Sequence, residues 1–120
     1  MKKLLLIDDD RWLAEMYKKM FEKNEYKVKI STNPHVAIDE IDDFSPDVIV
    51  LDIFLPHTNG IAFLHEVKSH EDTQKIPIII WSSHVDHTQS KVFSQYNIKA
   101  FIDKTTMHPS EVFEAVDSSV

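Results

Sequence analysis

The 120 residues predict a single α/β domain, a doubly wound (βα)5 fold whose five-stranded parallel sheet has the order 2-1-3-4-5. Three observations carry that expectation. The apolar runs at 4–7, 48–51 and 76–81 are too continuous for strands with one wet face. Amphipathic helical stripes alternate with them, which calls for right-handed crossovers between parallel strands. The run 26–30 differs: Tyr26, Val28 and Ile30 alternate with Lys27 and Lys29, as in a strand at the sheet edge.

In chain order, the first strand ends in Asp8, Asp9 and Asp10, and a helical stripe of Leu13, Met16, Tyr17, Met20 and Phe21 follows. Asp10 is suited to cap that helix, whereas three acids in a row exceed what capping needs. After the edge strand, Asn33 and Pro34 read as an N-cap and first helical residue, with Val36, Ala37, Ile38, Ile41 and Phe44 as the stripe. The central strand 48–51 delivers Asp52. Beyond Gly60, Ile61, Leu64 and Val67 suggest a third helix that fades into a polar loop. The fourth strand, 76–81, stops at Ser82 and Ser83. A fourth helix is placed at 86–96, a short fifth strand at 100–102 leads to Asp103 and Lys104, and Pro109 opens a last helix with Val112, Phe113 and Val116 inward.

Composition narrows the function classes. A domain of this size buries about two thirds of the surface of its unfolded chain, so one core suffices. No apolar run approaches the ~20 residues of a membrane span, and the apolar start is cut off at Asp8, unlike a signal peptide. The absence of cysteine removes disulfides and thiolate metal sites and fits a cytoplasmic protein. A formal net charge of -7 speaks against direct nucleic-acid binding. Gly60 is the only glycine, too few for a phosphate-cradling nucleotide loop.

In the predicted topology the residues just past strands one, three, four and five converge at one end of the sheet. They are Asp8 and Asp9, Asp52, Ser82, and Lys104. Crowded carboxylates repel one another unless they protonate or share a cation, and an oxygen-only set with few ligands suits Mg²⁺. A divalent ion, a lysine and a hydroxyl beside a carboxylate are what phosphoryl transfer to that carboxylate requires.

The chain resembles the receiver domain of bacterial two-component response regulators over essentially its whole length. The resemblance rests on 6–10 as the first-strand acidic motif, 46–60 as the phosphoacceptor strand and loop, and 76–83 as the fourth strand. Ser82 lies thirty residues and Lys104 fifty-two residues after Asp52, the family's spacing. The resemblance implies a flavodoxin-like sheet and Asp52 as acceptor of a phosphoryl group from a histidine kinase, a histidine phosphotransfer protein or a small phosphodonor. It implies Mg²⁺ held by Asp8, Asp9, Asp52 and the backbone carbonyl of Phe54, with Ser82 and Lys104 on phosphoryl oxygens. It also implies a switch in which Ser82 moves and Phe101 turns inward, altering the surface of the fourth helix, fifth strand and last helix for a downstream partner. Phe101 lacks the commoner tyrosine's hydroxyl, and Thr105 stands where the family usually has proline after its lysine. A cis peptide or a different loop path are the two alternatives there. Phe54 and His84 flank the path of attacking water.

Two other functions compete with phosphorelay. A receiver-like scaffold that binds partners without phosphorylation is opposed by the complete acid, hydroxyl and lysine set. A phosphoaspartate hydrolase of the haloacid dehalogenase kind wants a second aspartate two residues after the nucleophile, where Phe54 stands. Trp12 and Trp81 read as packing residues. The seven histidines offer no convincing ligand set, and Lys18, Lys19 and Lys23 read as a solvated helix face.

Overall fold

A computed structural model of the chain describes residues 1–52, 60–82, 96, 98–104 and 106–120. The strands are β1 (Lys2–Ile7), β2 (Tyr26–Ser31), β3 (Val48–Asp52), β4 (Ile78–Ser82) and β5 (Ala100–Asp103). They form one parallel sheet in the order β2-β1-β3-β4-β5, as the patterning predicts. The helices between them include α1 (Arg11–Lys23), α2 (Pro34–Phe44) and α3 (Gly60–Ser69), and a C-terminal helix spans Pro109–Asp117. Residues 86–95 of the fourth helix expected at 86–96, the Lys104–Thr105 peptide, Phe54 and His84 lie outside the described residues.

Because side chains of a strand alternate between faces, each strand supplies two cores. Leu4, Leu6, Val48, Val50, Ile79, Trp81 and Ile102 pack under Ala14, Tyr17 and Phe21 of α1 and Val112 and Val116 of the C-terminal helix. Leu5, Ile7, Ile49, Leu51, Ile78 and Ile80 pack under Ala37 and Ile41 of α2 and Phe63, Leu64 and Val67 of α3. Full burial of each such side chain is worth roughly 1.5–3 kcal/mol, enough to fix the register, since a one-residue slip would exchange the two cores.

Local signals hold where chemistry enforces them. The Leu13 N–H donates to Asp10 Oδ1 at 3.1 Å, so Asp10 caps α1, and the His35 N–H donates to Asn33 Oδ1 at 2.8 Å at the start of α2. β4 begins at Ile78 rather than Ile76. Pro77 has no N–H for the ladder, but its carbonyl still accepts from the Ile49 N–H at 3.0 Å.

Apolar expectations need correction at Trp12, Val36 and Met16, the last 40% exposed on α1. Trp12 is 78% exposed, not a packing residue, because it stands two residues before the buried Ala14 and hence roughly 200° around the helix from it. Val36 is half-exposed, standing about 140° around α2 from the buried Ile41 five residues on.

Candidate functional site

Strand ends build the site. β1 is prolonged by the Asp8 N–H, which donates to the Ser31 carbonyl at 3.0 Å, and this ladder bond drives the Asp8 side chain below the surface at 0% exposure. Its Oδ1 accepts from the Asp10 N–H at 2.9 Å and its Oδ2 from the Lys104 ammonium. Asp52 closes β3, is buried, and accepts from Lys104 Nζ at 2.7 Å through Oδ2. Ser82 closes β4 and is fully buried; its carbonyl accepts from the Lys104 N–H at 2.8 Å, which ties the lysine backbone to the end of β4.

The sequence-derived residues Asp8, Asp9, Asp52 and Lys104 therefore meet. Asp9 is exposed, yet it can bring a carboxylate oxygen within 4.8 Å of one each from Asp8 and Asp52. Ser82 lies one residue beyond Trp81, the register partner of Asp52. Phe101 pairs with Ile80 on the edge strand β5 and is 38% exposed.

Burial sets the electrostatics. Desolvation pushes the Asp8 carboxyl up to about 6 from 3.8, against the hydrogen bonds from Lys104 and the Asp10 N–H that favour its ionised form. For Lys104, burial acts to lower the ammonium's pKa, but hydrogen bonds to Asp52 and Asp8 outweigh it, so the lysine stays charged. Three carboxyl groups face one ammonium. The all-oxygen donor set within 4.8 Å suits a hard divalent cation such as Mg²⁺.

Patterning alone does not reveal the environment of Lys104 on its third side. Its Nζ stands 4.8 Å from the centroid of the Trp81 ring, which is itself buried and packed edge-to-face on Tyr17 at 5.1 Å. The legible signal is position: Trp81 precedes Ser82 and faces Asp52 across the β3–β4 ladder.

A parallel sheet of this order, with two buried carboxylates bridged by a lysine at its carboxyl end, is the arrangement of a signalling receiver. The chain belongs to the response regulator receiver domain family, whose model matches residues 4–117. It is 34% identical over 86 residues to the transcriptional regulatory protein CpxR of Escherichia coli K12, covering 72% of this chain and 37% of CpxR. It is 29% identical over 117 residues to the chemotaxis protein CheY of Thermotoga maritima, covering 97% of this chain and 95% of that one. The chain thus spans little more than a third of the first curated relatives it matches.

Among solved structures, CheY4 of Vibrio cholerae superimposes with a TM-score of 0.92 at 18% identity, covering 100% of this chain and 99% of that one. The non-phosphorylated HemR receiver domain of Leptospira biflexa gives 0.89 at 22% identity, covering 99% and 94%. At these identities the likeness speaks for the CheY-like, flavodoxin-like fold. The chain is a receiver domain of the kind found in two-component signalling.

Proposed function

We propose that residues 1–120 act as one phosphoacceptor receiver, with Asp52 as the residue that takes the phosphoryl group. The observation that carries this reading is the shared lysine: Lys104 bonds both Asp8 and Asp52, so a single cation already organises the carboxylates of two adjacent strands. In the reaction, a carboxylate oxygen of Asp52 attacks phosphorus of a phosphohistidine on a kinase or phosphotransfer protein. A P–O bond forms, and the P–N bond breaks with its electron pair leaving on the imidazole nitrogen.

Lys104 then exchanges its bond to Asp52 for one to a phosphoryl oxygen, and the Ser82 hydroxyl donates to another. Asp8, Asp9 and Asp52 would hold Mg²⁺, with the Phe54 carbonyl as the further ligand the resemblance implies. That ion supplies charge against the phosphoryl oxygens. Phosphorylation and its hydrolysis are the only chemistry the domain catalyses. Movement of Ser82 and Phe101 transmits the state to the β5 and C-terminal helix surface and so to a downstream protein. For docking of the donor, α1 offers Trp12 and the 40%-exposed Met16, one helical turn apart next to the site. Among the described residues no helix is long and apolar enough to cross a membrane. We place the domain in the cytoplasm, without direct contact to nucleic acid.

Intact mass after incubation with acetyl phosphate tests the proposal. One added phosphoryl group is expected, dependent on Mg²⁺ and absent from Asp52→Ala. A folded, Mg²⁺-binding protein that gains nothing would make the domain an unphosphorylated interaction scaffold.

A further inference from the structure

We propose that Trp81 is a positioning residue for Lys104, its indole face fixing the ammonium at the point where it meets Asp8, Asp52 and, after transfer, the phosphoryl group. The inference rests on the reading of Asp52 as phosphoacceptor and adds to it the device that aims the lysine.

The geometry is that of a cation over an aromatic face: Nζ lies 4.8 Å from the ring centroid, inside the roughly 6 Å over which the ring quadrupole attracts an ammonium. Both partners are withdrawn from water, Trp81 at 1% exposure and the Lys104 side chain at 11%, and desolvation strengthens the attraction. The residue is held through its backbone on two sides and through its ring on a third. Its backbone pairs with Asp52 on β3 and with Ile102 on β5, and Tyr17 of α1 meets the indole edge-to-face at 81° between planes.

Packing alone does not account for an indole here. Trp81 Nε1 is a buried donor without a hydrogen-bond partner among the described residues, a loss that an aliphatic side chain would not incur. What tryptophan supplies and leucine lacks is the negative face turned to the ammonium.

Lysine needs such a guide. Its charge is a point at the end of a flexible four-carbon stem, free to swing between acceptors. The bond from its N–H to the Ser82 carbonyl pins the backbone, and Asp8, Asp52 and Trp81 define the tip. Of these three contacts, that to Asp52 is altered by phosphorylation itself. The indole keeps its charge distribution throughout, so it is a contact that persists from the free to the phosphorylated state.

The test compares Trp81→Leu, which removes the face, with Trp81→Phe, which keeps a weaker one, using two readouts on protein confirmed as folded. In proton NMR without phosphodonor, the Lys104 side-chain methylenes should resonate upfield in the wild type from the indole ring current. They should return to ordinary lysine positions in Trp81→Leu. With acetyl phosphate and Mg²⁺, Trp81→Leu should be phosphorylated roughly three- to thirty-fold more slowly, and Trp81→Phe should recover most of the rate. Unshifted Lys104 resonances in the wild type, or a phenylalanine variant as slow as the leucine variant, would overturn the positioning role. A wild type with shifted lysine resonances that accepts no phosphoryl group would instead overturn the reading of Asp52 and leave the contact standing.

Discussion

The two faces of the sheet are built from the same strands yet carry different burdens. Under α2 and α3 the strand side chains are aliphatic throughout: Leu5, Ile7, Ile49, Leu51, Ile78 and Ile80. Under α1 and the C-terminal helix they meet aromatic rings, with Tyr17 on Trp81 and Phe21 between Tyr26 and Phe113. At its site end that aromatic core touches the lysine of the acidic cluster, whereas the core under α2 and α3, which includes Phe63, makes no such contact with that lysine among the described residues. One face holds the sheet together; the other also holds the site's cation in place.

The largest expected effect comes from breaking the aliphatic face. Ile49→Ala, at a side chain with no exposure, should lose about 2–5 kcal/mol in urea unfolding. Its phosphorylation rate per folded molecule should stay at the wild-type value. A rate that fell with stability would show that the faces are not separable.

Asp8 gives the next effect, and its sign depends on pH. Its carboxyl stands at about 6 in the fold against 3.8 ordinarily. Between those values the folded chain holds a proton that the unfolded chain has released, so metal-free stability should fall as pH rises from 3.8 to about 6 and then level off. Asp8→Asn should remove that slope in the absence of Mg²⁺. It should also lose most of the stabilisation that added Mg²⁺ gives the wild type, a difference read from thermal unfolding with and without the ion.

The smallest effect sharpens the comparison at the site's edge. Asp10→Ala removes the cap of α1 and should cost about 1 kcal/mol in urea unfolding while leaving Mg²⁺ affinity near the wild-type value, since Asp10 serves the helix and Asp8 the cluster.

Much of this was legible in the sequence because it depends on period and position. Continuous apolar runs placed β1, β3 and β4 at the centre, Lys27 and Lys29 placed β2 at the edge, and strand ends named Asp8, Asp9, Asp52, Ser82 and Lys104. What stayed hidden depends on three-dimensional facing or on unusual local chemistry. The two tryptophans looked alike as packing candidates, and only the phase of α1 turns Trp12 outward while β4 turns Trp81 onto Lys104. His108 caps the last helix with Glu111 returning the bond, although histidine is not among the usual capping residues. Glu25 and Ser45 adopt positive φ of 66° and 53° at turns where glycine is the common signal. A chain with a single glycine does not announce such turns.

The central claim is that Asp52, and neither of the neighbouring acids, receives the phosphoryl group. Borohydride reduces an acyl phosphate on aspartate to homoserine, so peptide mapping of reduced, phosphorylated protein is the most direct measurement. Homoserine at position 52 alone is the predicted result. Homoserine at position 8 or 9, with residue 52 still aspartate, would contradict the account.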